Sequence, residues 1–106
     1  MTQQNMARYE ARAKIIKAMA HPARLYIVDL LRHTPLCVAA LTEKIGADMS
    51  TVSKHLSVLK NAGIVSTKKE KTQVIYSLRM PCVLDFFGCV EKVIESTAKE
   101  QLIQLR

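Results

Sequence analysis

A chain of 106 residues, 49% of them hydrophobic, is sized for one folded domain and has too much apolar content to stay disordered. Sixteen Lys and Arg against nine Asp and Glu leave a net charge of +7, which points to a polyanionic partner. With no Trp, three Tyr and two Phe, a single-strand binder built on aromatic stacking is excluded, and the small size makes dimerisation expected.

The first residues, Met1-Thr2-Gln3-Gln4-Asn5, are polar with no apolar signal core behind them. No apolar run approaches the roughly 18 residues of a membrane span. A cytoplasmic protein with no membrane partner is expected. Residues 7–19 read as a helix with Ala7, Ala11, Ile15, Ala18 and Met19 near one face. His21-Pro22 opens a second helix to about Arg32, with Pro22 at the favoured first position and His21 as a cap; His33-Thr34-Pro35 breaks it. A short helix over 38–45 carries Val38, Leu41 and Ile45 inward. Gly46-Ala47 turns the chain, and Asp48 caps a helix over 49–61 with Val52, Leu56 and Leu59 as its buried stripe. Gly63 ends that helix. The period then drops from 3.6 to 2. One strand starts at Ile64, a second runs through Val74, Tyr76 and Leu78, and Lys68–Thr72 forms a charged hairpin tip. After Pro81, residues 82–105 read as one long helix with Val83, Phe86, Phe87, Val90, Val93, Ile94, Leu102 and Leu105 apolar.

The order ααααββα, mainly α with a small β-hairpin, is a winged helix-turn-helix pattern over a single domain, residues 1–106. Positive charge peaks in its middle: residues 49–79 hold six Lys or Arg and one acid. With Val52, Leu56 and Leu59 inward, the helix over 49–61 presents Met49, Ser50, Thr51, Ser53 and Lys54 at its N-terminal end, where they can meet bases or phosphates. Lys60, Lys68, Lys69 and Lys71 are placed to touch backbone phosphates. A protein-interaction use of the same fold is disfavoured by the basic wing. An enzyme is disfavoured too: the chain has no paired carboxylates, no nucleophile with a local base, and only three Gly.

Three segments carry a further resemblance: Lys17 to Val28 (KAMAHPARLYIV), Met49 to Val65 (MSTVSKHLSVLKNAGIV) and Gln73 to Leu78 (QVIYSL). Together, over about residues 14–95, they resemble the ArsR/SmtB family of metal- and redox-responsive repressors. The resemblance implies a homodimer built from the helices over 7–19 and 82–105, binding to a double-stranded operator with inverted half-sites, and release by an inducer. By position it carries recognition to Met49, Ser50, Ser53 and Lys54, and makes His55 a structural residue under the helix. Relatives often have Gly near position 71. Lys71 in that place predicts a looser, more basic wing tip.

The inducer has to come from this chain's own side chains. The positions that match the family's zinc and cobalt ligands are Met80, Cys82, Val93 and Ser96, of which only Cys82 can ligate. The segment around Cys37 resembles the Cys-Val-Cys stretch of arsenic sensors, with Ala39 in place of the second Cys. Three thiols remain as candidate ligands: Cys37, Cys82 and Cys89. Within one intact helix, Cys82 and Cys89 stand roughly 10 Å apart, too far to share an ion or a disulfide. Either Cys82 precedes the regular helix, or partners come from different parts of a dimer. Near a helix N-terminus, Cys82 is placed for reactivity. Three readings stand open: a soft metal or metalloid inducer, As(III) or Sb(III) first, held by thiolates; a redox or reactive-sulfur thiol switch; and small hydrophobes in the core. No constitutive cofactor is expected.

Overall fold

The structure, a computed structural model, describes residues 1–104. Among them the elements run α1 (Gln3–Met19), α2 (Pro22–Leu31), β1 (Leu36–Cys37), α3 (Val38–Ile45), α4 (Met49–Asn61), β2 (Val65–Glu70), β3 (Gln73–Leu78) and α5 (Val83–Gln104). The winged helix-turn-helix architecture stands as read, and the added strand β1 makes the order ααβααββα. The hairpin is thus part of a three-stranded antiparallel sheet in the order β1-β3-β2, with Leu36 opposite Tyr76 and Cys37 opposite Ile75. Two residues carry no readable period, so only docking on the free edge of β3 reveals this strand.

Two helix starts differ from the sequence reading. α1 begins at Gln3 rather than residue 7, because the Thr2 hydroxyl accepts the Asn5 N–H at 3.2 Å and caps it. α5 begins at Val83 rather than 82. Cys82 sits in the turn before it, which the Val83 N–H to Met80 O (3.2 Å) and Leu84 N–H to Pro81 O (3.0 Å) bonds close. Leu105 lies outside the described residues.

The core forms where α2, α3 and α4 cross. Ile27, Val28, Leu41, Val52, Leu56 and Leu59 are wholly buried there, and Val65 brings β2 onto them. No charged or polar residue is buried among the described residues. α3 ends on Gly46 at φ 79°, whose N–H bonds Thr42 O at 2.9 Å; this left-handed residue starts the turn into α4. α4 ends in a full Schellman motif. The Gly63 N–H bonds Lys60 O and the Ile64 N–H bonds Leu59 O, both at 3.0 Å, while Leu59 and Ile64 are buried.

The wing is tighter than the sequence suggested. Strand pairing continues to Glu70 opposite Gln73, leaving Lys71-Thr72 as a two-residue turn rather than a loose tip over 68–72. Lys71 takes φ 55°, a left-handed conformation that glycine adopts at no steric cost.

α1 and α5 contribute little to this core. Only Ala18 and Met19 of α1 are buried; Ile15, read as inward, is exposed. From Gly88 to Ile103 every residue of α5 is exposed, Val93 at 64% and Ile94 at 56%. Between α1, α2 and α5 runs an apolar groove of about 740 Å³, lined by Met19, Leu25, Phe86, Phe87, Val90 and Ile94 among others.

Candidate nucleic-acid interface

α4 owes its position to its inner stripe and its starting cap. Asp48 holds extended backbone angles and accepts the Thr51 N–H at 2.8 Å. Its carboxylate also accepts the Ser50 hydroxyl (2.8 Å, Oδ1) and the Thr51 hydroxyl (3.0 Å, Oδ2). The Thr51 amide first, then these two hydroxyls, hold the Asp48 carboxyl down at about 2, from 3.8. The group is an anion at any physiological pH. This helix end is not open to a phosphate, because the Asp48 carboxylate, read from the sequence as its cap, already occupies it. The signal was present as Asp48-Met49-Ser50-Thr51, an N-cap followed by two hydroxyls within reach.

Because an ionised carboxylate only accepts, the Ser50 and Thr51 hydroxyl protons are committed to it, and their outward oxygens present lone pairs. Such oxygens suit the amino groups of cytosine and adenine in the major groove and do not suit phosphate. Met49, Ser50 and Lys54 are exposed; Thr51 and Ser53 are half-buried. Lys60 lies two turns on from Ser53 along one row of the helix and is exposed.

The wing lysines do not act as one cluster. Lys68 stands opposite Ile75 and Lys69 opposite Val74, so the pleat sends these two side chains to opposite faces of the ribbon. Lys71 projects from the turn between the strands. All three are exposed. The recognition end of α4 and the wing thus form two separate basic outposts on a common core. Among the described residues the one ion pair is Arg32 with Asp29, away from both.

His55, on the inner side of α4, lies against His21, with ring centroids 4.4 Å apart. Nδ1 of His21 accepts the Ala23 N–H at 3.0 Å and caps α2, as read from the sequence. Burial, then the charges of His21 and Arg24, push the His55 imidazole below its ordinary 6.5, so it is neutral at neutral pH and structural in role.

The three cysteines are free. Cys37 is half-buried; it starts α3 but makes no capping bond, and its register opposite Ile75 puts it on the sheet face away from Leu36 and Tyr76. Cys82 and Cys89 are exposed. None belongs to the buried core of the single chain. Among the described residues of one chain, no three His, Cys, Asp or Glu side chains gather as a ligand set.

A helix-turn-helix with an exposed, polar second helix and a basic wing on one small core defines a DNA-binding regulator. Residues 21–67 match the family described as "Bacterial regulatory protein, arsR family". An uncharacterized HTH-type transcriptional regulator of Mycobacterium tuberculosis is 30% identical over 92% of this chain and 86% of its own length. A homodimeric winged helix-turn-helix DNA-binding domain from Mycobacterium bovis superposes with a TM-score of 0.80 at 28% identity, over 94% of this chain and 93% of that one. The transcriptional repressor BigR of Xylella fastidiosa superposes with a TM-score of 0.72 at 30% identity, over 88% and 96%. The chain belongs to the arsR family of bacterial regulatory proteins, and is a DNA-binding transcriptional regulator rather than an enzyme.

Proposed function

We propose that this chain is a homodimeric repressor that binds inverted half-sites of double-stranded DNA and releases them when its cysteine thiols react. α4 would enter the major groove with Met49, Ser50, Thr51, Ser53 and Lys54. Lys60, Lys68, Lys69 and Lys71 would hold backbone phosphates. The apolar faces that α1 and α5 leave open support the dimer, and the Mycobacterium bovis neighbour is itself described as homodimeric. The Xylella fastidiosa neighbour, described as a repressor, supports the direction of regulation. With no disulfide within the chain and no membrane-spanning helix among the described residues, the cytoplasm is its proposed place of action.

The observation that carries the inducer reading is that all three thiols are free and none is packed in the core. As(III), Sb(III) or another soft ion would be held by Cys37, Cys82 and Cys89 as thiolates. Because one chain gathers no three ligands, such a site draws on both subunits. The exposure of Cys82 and Cys89 favours a second reading, a thiol switch. There, two thiols give up two protons and two electrons to an oxidant or a polysulfide and become linked.

Fluorescence anisotropy of the reduced protein on DNA from upstream of its own gene separates these. Release by As(III) supports the metalloid reading, and release by polysulfide alone supports the switch. A Cys37→Ser, Cys82→Ser protein should bind DNA normally and respond to neither. If that variant still responds, sensing through Cys37 and Cys82 is wrong.

A further inference from the structure

On the other side of the recognition helix from its inner stripe, a second concavity opens between α1, α2 and the C-terminal end of α4. It measures about 350 Å³ and is lined by Lys14, Lys17, Arg24, Val58 and Asn61, with no carboxylate among its lining residues. Three cations therefore face one space with no counter-charge, and none of them forms an ion pair among the described residues. Arg24 adds a sharper observation: its Nε–H is buried and has no acceptor. A buried donor left unpaired costs free energy, and one on a charged group costs more. The guanidinium's open charge is also among the causes that hold His55 neutral.

The chemistry of the lining selects the ligand. A guanidinium presents fork-like donors that match the oxygens of a phosphate, and two ammonium groups supply charge for a dianion. The Asn61 amide adds donors for a remaining oxygen. Asn61 falls seven residues after Lys54, on the same row of α4, so the concavity lies along the row that starts at Lys54.

We propose that this concavity is an anion site that takes a phosphate group, either from the DNA backbone beside the major groove or from a free phosphate compound. The first source enlarges the DNA footprint to α1 and α2. The second makes the site a point of control by a small anion.

The test is a side-chain 1H–15N NMR titration of the full chain. Inorganic phosphate is added at constant ionic strength, and a mixed-sequence DNA duplex is added in parallel. The Arg24 Nε–Hε resonance is expected to shift saturably with at least one of them. A Lys14→Ala, Lys17→Ala variant, altered only at exposed positions, should weaken that response several-fold. If DNA is the source, the variant also lowers the salt slope of DNA binding by about 0.9 for each phosphate no longer neutralised. If free phosphate is the source, the slope is unchanged while phosphate still saturates the wild-type signal. An Arg24 resonance that follows neither titrant, or a response that the double variant leaves intact, overturns the proposal.

Discussion

The imidazoles of His21 and His55 lie 4.4 Å apart with their planes tilted by 43°, joining the cap of α2 to the inner side of the recognition helix. The pair avoids charge–charge repulsion as long as one ring stays uncharged, and His55 is that ring. His21 uses Nδ1 as an acceptor, and His55 is held below 6.5 by burial and then by neighbouring charge. When a base has a lower pKa folded than unfolded, the unfolded chain binds more protons. Stability is therefore fully present above about pH 6.5 and declines as pH falls below it, levelling off once His55 is protonated in the folded state as well. Urea unfolding from about pH 8 to 5 should show this decline, and His55→Gln should flatten it. An unchanged slope in the variant would assign the decline elsewhere.

Asp48 has the opposite sign at a different pH. A carboxyl lowered from 3.8 to about 2 stabilises the fold above pH 3.8, and that stability is lost as pH falls toward 2. Asp48→Asn keeps a capping oxygen but removes the charge. It should flatten stability between about pH 4 and 2 and leave the His55 limb in place. It also loosens the hold on the Ser50 and Thr51 hydroxyl protons. Base preference at the operator positions facing them should relax, as read by competition between duplexes differing at one base pair.

Lys71 serves charge at the expense of backbone comfort. Its φ of 55° costs a non-glycine residue roughly 1–2 kcal/mol, part of which glycine would give back through its freer unfolded chain. Lys71→Gly should raise stability by about 0.5–1 kcal/mol and lower the salt slope of DNA binding by about 0.9 per subunit, about 1.8 for the dimer. Thermal unfolding and anisotropy read the two separately. Gain in stability with an unchanged slope would remove Lys71 from the phosphate contacts.

Much of the DNA-facing half was legible because each signal was local. α4 was bounded by Asp48 before it and Gly63 after it, and its stripe of Val52, Leu56 and Leu59 has helical spacing. β1 was not legible, because Leu36 and Cys37 become a strand only by pairing with Tyr76 and Ile75 far along the chain. The wing tip was misjudged because Lys71 gives no sign of the left-handed angle it must take. The apolar residues of α5 were countable, but periodicity does not say what covers them. Nor could spacing show that Arg24, Lys14 and Asn61, on three different helices, line one concavity.

Leu56 tests how much the recognition helix depends on its inner stripe. It is wholly buried where α4 meets the core. Leu56→Ala should cost about 2–5 kcal/mol, a large share of a typical domain's total stability. Leu56→Met, which nearly conserves volume, should cost less than about 1.5 kcal/mol. Similar losses from both in urea unfolding would mean that shape, rather than buried volume, governs this site.

The exposed face of α5 carries the assembly prediction. Val93 and Ile94 lie open, which is costly for an isolated chain and natural for one whose copy packs against it. A twofold interface sets the same patch on both subunits, so a charge introduced near its axis meets its own copy. Val93→Asp with Ile94→Asp should therefore yield a monomer by light scattering while the α2–α4 core still unfolds cooperatively. A monomer holds only one half-site, so its DNA affinity and salt slope should both fall, the slope toward half its former value because one subunit neutralises half as many phosphates. A variant that remains dimeric would place the interface away from this stretch of α5, and the open apolar face would then need another occupant.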